Sequence, residues 1–517
     1  MRKLFILFFV GLAISLSSCR QDFVFEASTG DLFFSKDTVY LDTVFTNIGS
    51  STYTLKVYNR SSKDIKIPTI QLGKGQASKY RMTVDGMTGD NNRIFHDVEL
   101  LAKDSMYIFI ETTAGIADAN PSDFLYTDQI QFDSGANLQK VELVTLIQDA
   151  YFIFPNKTNG VIDQIPIGFN DDGTVLKTNG RDLVHNHPDN DDEFNFKTDK
   201  PYVVYGYASV PSGETLHIPG GARVHFHADS GIVVQDGGSL FIDGGYSSTA
   251  ALENEVIFEG DRLEPEFSDV PGQWGAIYLR HGSKDHVIKN LTLKNAVVGL
   301  LIEENLGTAM AIENTQIYDC SNYGLLATNC RINGKNMVIN SCGQASLATI
   351  YGGTYNFTHC TFNNNWSSSK QLAVLMNDYF KDDNGDFFYK PFAANFTNCI
   401  IYGSNNVEFS LEHRSTDTFA YNLTNCLIRF NNSQFNGTGL YNFNEPANYS
   451  NCLVTAVTSN INPDFKDISK NQLSLLEDSA AINKGLNLSP NFNDILNHAR
   501  PTSPNPNPDI GAYQYQP

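Results

Sequence analysis

Short motifs recur along the C-terminal part of this chain at a nearly constant spacing. Asn290-Leu-Thr-Leu, Asn314-Thr-Gln-Ile, Asn336-Met-Val-Ile and Cys360-Thr-Phe follow one another at steps of 24, 22 and 24 residues. Cys399-Ile-Ile, Cys426-Leu-Ile and Cys452-Leu-Val continue the series after steps of 39, 27 and 26. The residue before each of these last four motifs is His359, Asn398, Asn425 or Asn451. A second marker keeps the same period, at Trp274-Gly275, Val298-Gly299 and Tyr323-Gly324, and again at Gly439. A repeat of this length is the mark of a solenoid or array. Each period holds two or three short apolar strands separated by Gly or Asn bends, which is one coil of a β-solenoid. Strands of successive coils then pair in parallel, about 4.8 Å apart. A repeat array grows in one dimension, so a chain of 517 residues need not enclose one spherical core.

This register makes two predictions. Asn at a repeated bend stacks into a ladder, each amide bonding the next, as in other stacked parallel strands. The bend register is taken through Asn290, Asn314, Asn336, Cys360, Cys399, Cys426 and Cys452. The four cysteines of that series therefore stack inside as small hydrophobes. Parallel side chains one rung apart are too far apart at Cβ for good disulfide geometry, which predicts free thiols.

The first nineteen residues have a different character. Arg2 and Lys3 precede an apolar run of eleven residues, Leu4 to Ile14, which is too short to span a bilayer and fits a signal-peptide core. It ends in Leu16-Ser17-Ser18-Cys19, which resembles the lipobox of bacterial lipoproteins. The resemblance implies cleavage before Cys19, lipidation of Cys19 and a membrane held through that lipid. The expected location is the cell envelope, as an outer-membrane lipoprotein facing the periplasm or the cell surface.

Residues 31–150 alternate in strand fashion, with Thr38–Phe45, Ser51–Tyr58 and Ser105–Ile110 between turn residues such as Asn47-Ile-Gly49. Short strands with turn signals between them predict an antiparallel β-sandwich. The run from Leu41 to Ile67 resembles the Ig-like modules of the hydin and major-sperm-protein type, which space or bind. Residues 151–200 read as a polar connector, in which His185, His187, Asp189 and Asp191 fit no established zinc or calcium loop. Val210–Phe226, Gly231-Ile-Val-Val, Gly238–Ile242 and Gly272-Gln-Trp-Gly275 resemble the first coils of right-handed β-helix proteins of the pectate-lyase-like superfamily. Asn462-Pro-Asp-Phe465, Ser479–Gly485 and Asp509–Tyr513 resemble the closing cap of the same superfamily. The expected fold is thus all-β, an N-terminal antiparallel sandwich followed by a right-handed parallel β-helix. Its parts are a signal peptide (1–18), a tether (19–30), the sandwich (31–150), the connector (151–200), the β-helix (201–460) and its cap (461–517).

With 36 basic against 57 acidic residues, the formal charge of −21 disfavours nucleic acid as a partner. It also disfavours a polyanionic glycan unless basic residues line the site. A solenoid offers one long outer face built from equivalent positions. With Gly275 and Gly299 taken as register, Arg280 and Glu304 are equivalent, and the following coils bring Asn377, Asp378, Glu412, His413 and Arg414 to similar places. Arg280, Glu304, Asp378, Glu412 and Arg414 are the candidate catalytic residues. Ordinary surface pairing, Glu412 with Arg414 for instance, competes with that reading. Asp382, Asn384 and Asp386 alternate oxygen donors like a weak cation loop, but Gly385 is misplaced for a calcium loop and no distal Glu completes the set. No cofactor is implied, and calcium has no support. Trp274, in its Gly-Gln-Trp-Gly setting, reads as a core residue and not as a sugar platform. The lyase and hydrolase residue sets of the β-helix fold have no match here. The leading expectation is therefore a non-catalytic envelope protein that binds a glycan or another surface component along the helix face. A polysaccharide lyase or glycoside hydrolase is the rival, and a structural or adhesive stalk is the third reading.

Overall fold

The computed structural model describes residues 23–169, 174–305, 308–382, 384–435, 437–455, 461–502 and 506–517, so Cys19 and the segment before it lie outside the described residues. The chain forms two units, residues 1–149 and 150–517. Both are built of strands, and no described helix is long and apolar enough to cross a membrane.

The first unit is a β-sandwich. One sheet holds Glu26–Ala27, Ile65–Leu72, Ile94–Leu100, Leu125–Phe132, Gln139–Gln148 and Thr38–Phe45. The other holds Phe33–Phe34, Tyr53–Tyr58, Ser105–Thr112 and Tyr80–Val84. Alternate residues of each strand, among them Val39, Leu41, Leu55, Val57, Ile108 and Ile110, fill the core between the sheets. Pairing is antiparallel except at two places, where Glu26–Ala27 joins Ile65–Lys66 and where Gln139–Gln148 joins Thr38–Phe45.

The second unit is a right-handed parallel β-helix with three faces. In one coil, Val256–Gly260 lies on the first face, Trp274–Leu279 on the second and Val287–Lys289 on the third. Each pairs in parallel with its equivalent one coil on, namely Leu291–Lys294, Ala296–Glu303 and Met310–Glu313. Inward positions are fully buried along the whole axis, from Val204 and Phe226 to Leu423 and Ile428.

The chain turns from the third face to the first at one residue per coil. Asn290, Asn314, Asn336, His359, Asn398, Asn425 and Asn451 all hold φ between 47° and 56° there. An L-residue pays steric strain in this left-handed region, and Asn tolerates it best among non-glycines. The cysteines therefore do not form the bend, as the sequence register had them. They follow it by one residue, and Cys360, Cys399, Cys426 and Cys452 share an inward column with Leu291, Thr315 and Met337. Because strand faces alternate with period two, that single step is the difference between an outer bend and the core. Cys320, Cys330, Cys342, Cys360, Cys399 and Cys426 are buried, Cys452 is partly buried, and all seven are free.

The expected amide ladder exists in pieces. Asn336 Nδ2 donates to Asn314 Oδ1 at 2.9 Å, and Asn398 Nδ2 meets His359 Nε2 at 2.9 Å. Elsewhere the bend is held by the C-terminal segment. Asn398 donates to Leu486 O and accepts from Leu486 N, Asn425 donates to Lys484 O, and Asn336 donates to Asn493 O. The same segment packs Leu473, Ile495, Ala512 and Tyr513 on Tyr318 and Val338, outside the first face.

Residues 151–200 are not a free connector. Tyr151–Ile153 pairs with Tyr202–Val204, and Gly180–Asp182 pairs with Tyr207–Ser209, so this stretch is the opening coil. Its ends are tied by Arg181 and Glu193, which are buried and bonded through both guanidinium nitrogens at 2.5 and 2.6 Å. Burial alone raises the Glu193 carboxyl, but the bonds from Arg181 and Asn190 outweigh it and hold the group below its usual range. His187 and Asp191 close a turn by paired backbone bonds, while His185 meets Asp192 and Glu214. A three-residue strand carries too little alternation to be seen in a sequence, and the end of a solenoid must be polar on its open side.

Two outcomes follow for the bend and its neighbours. Asn398→Ala should destabilise the protein by about 2–3 kcal/mol in urea unfolding, from strain at positive φ and from Leu486 losing its partner. Asn398→Gly should recover only the strain. Titration of the denatured, unreduced protein should find the seven thiols from Cys320 to Cys452; a count of zero or one would refute the packed-thiol column.

Candidate functional site

Outward positions at the end of the second face form the stripe in which the candidate residues were placed. Gly275 and Gly299 do not share a register. The pairing of Trp274–Leu279 with Ala296–Glu303 slips by one residue, so that Ala276 faces Val298 but Leu279 faces Ile302. Gly299 sits in this bulge, where an added Cβ would lie 2.5 Å from Gly324 O. Arg280 therefore stands beside Glu303, and Glu304 stands beside His281, with which it forms an ion pair at 2.8 Å. Arg280 bonds Gln235 and Pro166 O. Four further rungs separate Arg280 from Asn377, about 19 Å at the strand spacing, so Arg280 and Glu304 belong to a different stretch of the face from Asp378.

Asp378, Glu412 and Arg414 do come together, and His413 joins them. Asn377 pairs with Glu412 across the two strands Leu372–Asn377 and Phe409–Glu412, which puts Asp378 opposite the turn that begins at His413. Asp378 is fully buried and its carboxylate is saturated. Oδ2 accepts from His413 Nδ1 at 2.6 Å, Ser415 Oγ at 2.6 Å and Ser415 N at 3.2 Å, while Oδ1 accepts from Arg414 N at 3.0 Å. Burial by itself raises this carboxyl, but the bonds from Ser415 and His413 prevail and keep it below its usual range. Asp378 is thus a positioning residue. With Nδ1 of His413 engaged, its Nε2 is the ring nitrogen left for other partners. The His413 ring lies on Phe419 at 4.9 Å.

The inserted loop is a β-hairpin. Tyr379–Lys381 pairs antiparallel with Phe387–Tyr389. Asp382 accepts Asp386 N and Gly385 N at the turn, so its oxygens brace the loop. No group of three or more His, Cys, Asp or Glu side chains placed to hold a metal occurs among the described residues. One side of the hairpin packs down. Tyr379 donates to Glu412, and Arg414 lies over the rings of Tyr379 and Phe387, each at 4.9 Å. Glu412 and Arg414 are therefore joined through Tyr379 and not to each other. The other side shows Phe380 and its cross-strand partner Phe388 to solvent, 49% and 47% exposed. Lys381 lies over Phe387, Lys390 over Tyr351, and Phe380 sits 6.1 Å from Tyr351. The alternation Tyr-Phe-Lys and Phe-Phe-Tyr across Asp382–Asp386 was the sequence signal for this hairpin.

Trp274 is a core residue, 1% exposed, stacked on Phe226 at 4.3 Å and donating to Lys294 O. A charged column on the first face escaped the sequence reading. His225, Glu259 and Lys294 lie one rung apart, with Lys294 Nζ 2.8 Å from Glu259. Tyr318 takes the next place in the column. Asp319 follows it at the bend position of Asn295, and Asn471 donates to it at 2.8 Å. Burial, and then the negative charge of Asp269, push the Asp319 carboxyl up to about 7. The column was visible only once coil register was known, because His225, Glu259 and Lys294 are 34 and 35 positions apart.

Residues 221–367 match the family described as the right handed beta helix region. No curated protein matches the chain. Among solved structures, the E. coli chaperone DraB overlaps 27% of this chain and 61% of its own, at 14% identity and a TM-score of 0.16. The PapD-like domain 7 of human CEP192 overlaps 26% of this chain and 96% of its own, at 11% identity and a TM-score of 0.15. The catalytic domain of a GH87 alpha-1,3-glucanase in complex with nigerose overlaps 74% of this chain and 82% of its own, at 10% identity and a TM-score of 0.17.

Asp319 gives a pH signature. Its pKa in the folded chain is raised above the unfolded value, so it favours folding below about pH 4 and that contribution is lost as pH rises through about 7. Asp319→Asn should flatten the stability profile between these limits and be the more stable protein at pH 8, by about 1–3 kcal/mol. Urea unfolding at pH 5 and pH 8 tests this; an unchanged pH slope would show that Asp319 is ionised in the fold.

Proposed function

We propose that this is an exported, lipid-anchored cell-envelope protein that binds polysaccharide on the second face of its β-helix, at the hairpin 379–389. The exposed pair Phe380 and Phe388 carries this reading. Two large apolar rings in solvent, fixed on a braced hairpin and rimmed by polar groups, mark an interaction surface. Their flat faces suit the C–H side of sugar rings, while His413, Glu412 and Arg414 beneath supply donors and acceptors for hydroxyls. Lys381, Lys390 and Arg414 rest on aromatic rings and form no ion pair among the described residues, which offsets the acidity of the chain at this spot. The anchor is the lipid on Cys19, and the N-terminal sandwich, of the Ig-like kind, serves as a spacer from the membrane.

A second reading, polysaccharide cleavage, is favoured by one observation. A buried Asp holding one nitrogen of a partly exposed His is an arrangement that prepares the other nitrogen for proton transfer. Glycan-panel titration of the intact protein separates the readings. Binding without product is expected, with the affinity falling about tenfold in the Phe380→Ala/Phe388→Ala double variant, at about 0.5–1.5 kcal/mol per ring. Release of new chain ends that disappears in His413→Ala would establish cleavage. Failure to bind any polysaccharide would sink both.

A further inference from the structure

The bend ladder runs only in pieces, and its break between Asn290 and Asn314 opens onto a cavity. Asn336 Nδ2 donates to Asn314 Oδ1 at 2.9 Å, and the next step of a continuous ladder would be Asn314 Nδ2 to Asn290 Oδ1. That bond is not made. Asn290 turns its own Nδ2 to Gly244 O at 2.8 Å instead. Among the described residues, Asn314 Nδ2 then has no acceptor and Asn290 Oδ1 has no donor. Both side chains line a cavity of about 220 Å³ between the bend and the C-terminal segment.

The rest of the lining defines the chemistry. Glu313 and Lys335 also line the cavity and neutralise one another at 3.3 Å, and the carboxylate of Asp494, the other charged group of the lining, is taken up by bonds from Leu496 N, His498 and Gln514 N. Lys335 Nζ lies 5.6 Å from the centre of the Phe492 ring, which forms an apolar wall. A free amide donor and a free amide acceptor one rung apart, about 4.8 Å, match neighbouring hydroxyls, since each hydroxyl both donates and accepts. The volume lies below the roughly 300–1,000 Å³ of pockets for drug-sized ligands, which limits the occupant to about one ring. We infer that the Asn290–Asn314 break and Phe492 form a binding pocket for a single neutral pyranose, separate from the hairpin surface and independent of what binds there.

Calorimetric titration of the intact protein with D-glucose, D-galactose, D-mannose and N-acetyl-D-glucosamine, one at a time, tests this. At least one should bind saturably with a millimolar or tighter Kd. Phe492→Ala should weaken that binding about tenfold. Asn314→Asp keeps a residue suited to positive φ and an acceptor for Asn336 while removing the free donor, and it should abolish binding with the fold intact by circular dichroism. Phe109→Ala, on the exposed surface of the N-terminal sandwich, should leave the monosaccharide affinity unchanged. No saturation with any of the four sugars would overturn the pocket, as would equal affinity in Phe492→Ala. Loss in Phe388→Ala with no change in Phe492→Ala would also overturn it and move the sugar to the hairpin.

Discussion

The left-handed residue at the turn from the third face to the first, repeated coil after coil, holds this β-helix together. At the turn from the third face to the first, the backbone must reverse within a single position, and seven successive coils do so at φ near 50°. Glycine would allow that turn at a cost in chain entropy. Asn allows it with a side chain that can bond along the axis. The amide then does two jobs, tying coil to coil where the ladder runs and tying coil to C-terminal segment where it does not. His359 is the exception that shows the rule, since it keeps the bend but reads the next coil through a ring nitrogen. The C-terminal segment outside the first face also docks on this column, through Lys484, Leu486, Asn493 and Gly511.

The repeat was legible because a solenoid repeats its sequence at the interval at which it repeats its structure. The spacing of Asn290, Asn314 and Asn336 was enough to infer parallel coils and stacked interiors. What failed was phase. Cys360 and its successors were aligned with Asn, although the matching residue is one earlier, at His359, Asn398, Asn425 and Asn451. The cysteines attract the eye because they are rare; the bend is set by backbone conformation, which the less conspicuous residue supplies. The second slip has a different cause. Gly275 and Gly299 look equivalent, but a bulge takes up one residue between them, and a bulge leaves no periodic trace in a single sequence.

Those two slips explain how much of the site could be read. Arg280 and Glu304 were linked by the glycine register and come apart with it. Asp378, Glu412 and Arg414 were linked by coil order, which tolerates a slip of one, and they remain together. Their roles were hidden for a further reason. A carboxylate at a coil edge can face a ligand or brace a turn, and only the four donors around Asp378 decide for the turn. The hairpin was hidden in the same way. Asp382, Asn384 and Asp386 carry oxygens at alternate positions, yet the same residues are favoured in tight turns, where the oxygens are spent on backbone N–H groups. The chemistry lies in the aromatic residues flanking them.

The opening coil shows why a polar stretch in a repeat protein should not be assigned to a linker on composition alone. An end of a solenoid has one side against a stack and one against water, so its residues look half like core and half like loop. Residues 151–200 carry just enough apolar positions, Ile153, Leu183, Phe194 and Phe196, to close the stack. The Arg181–Glu193 pair then ties the chain on the side where no preceding coil stacks. A buried ion pair is a weak source of stability by itself, because desolvation opposes the attraction. Its worth here is geometric: the guanidinium reaches Glu193, Phe154 O and Asp182 O together, which fixes the path of the chain where no preceding coil can do so.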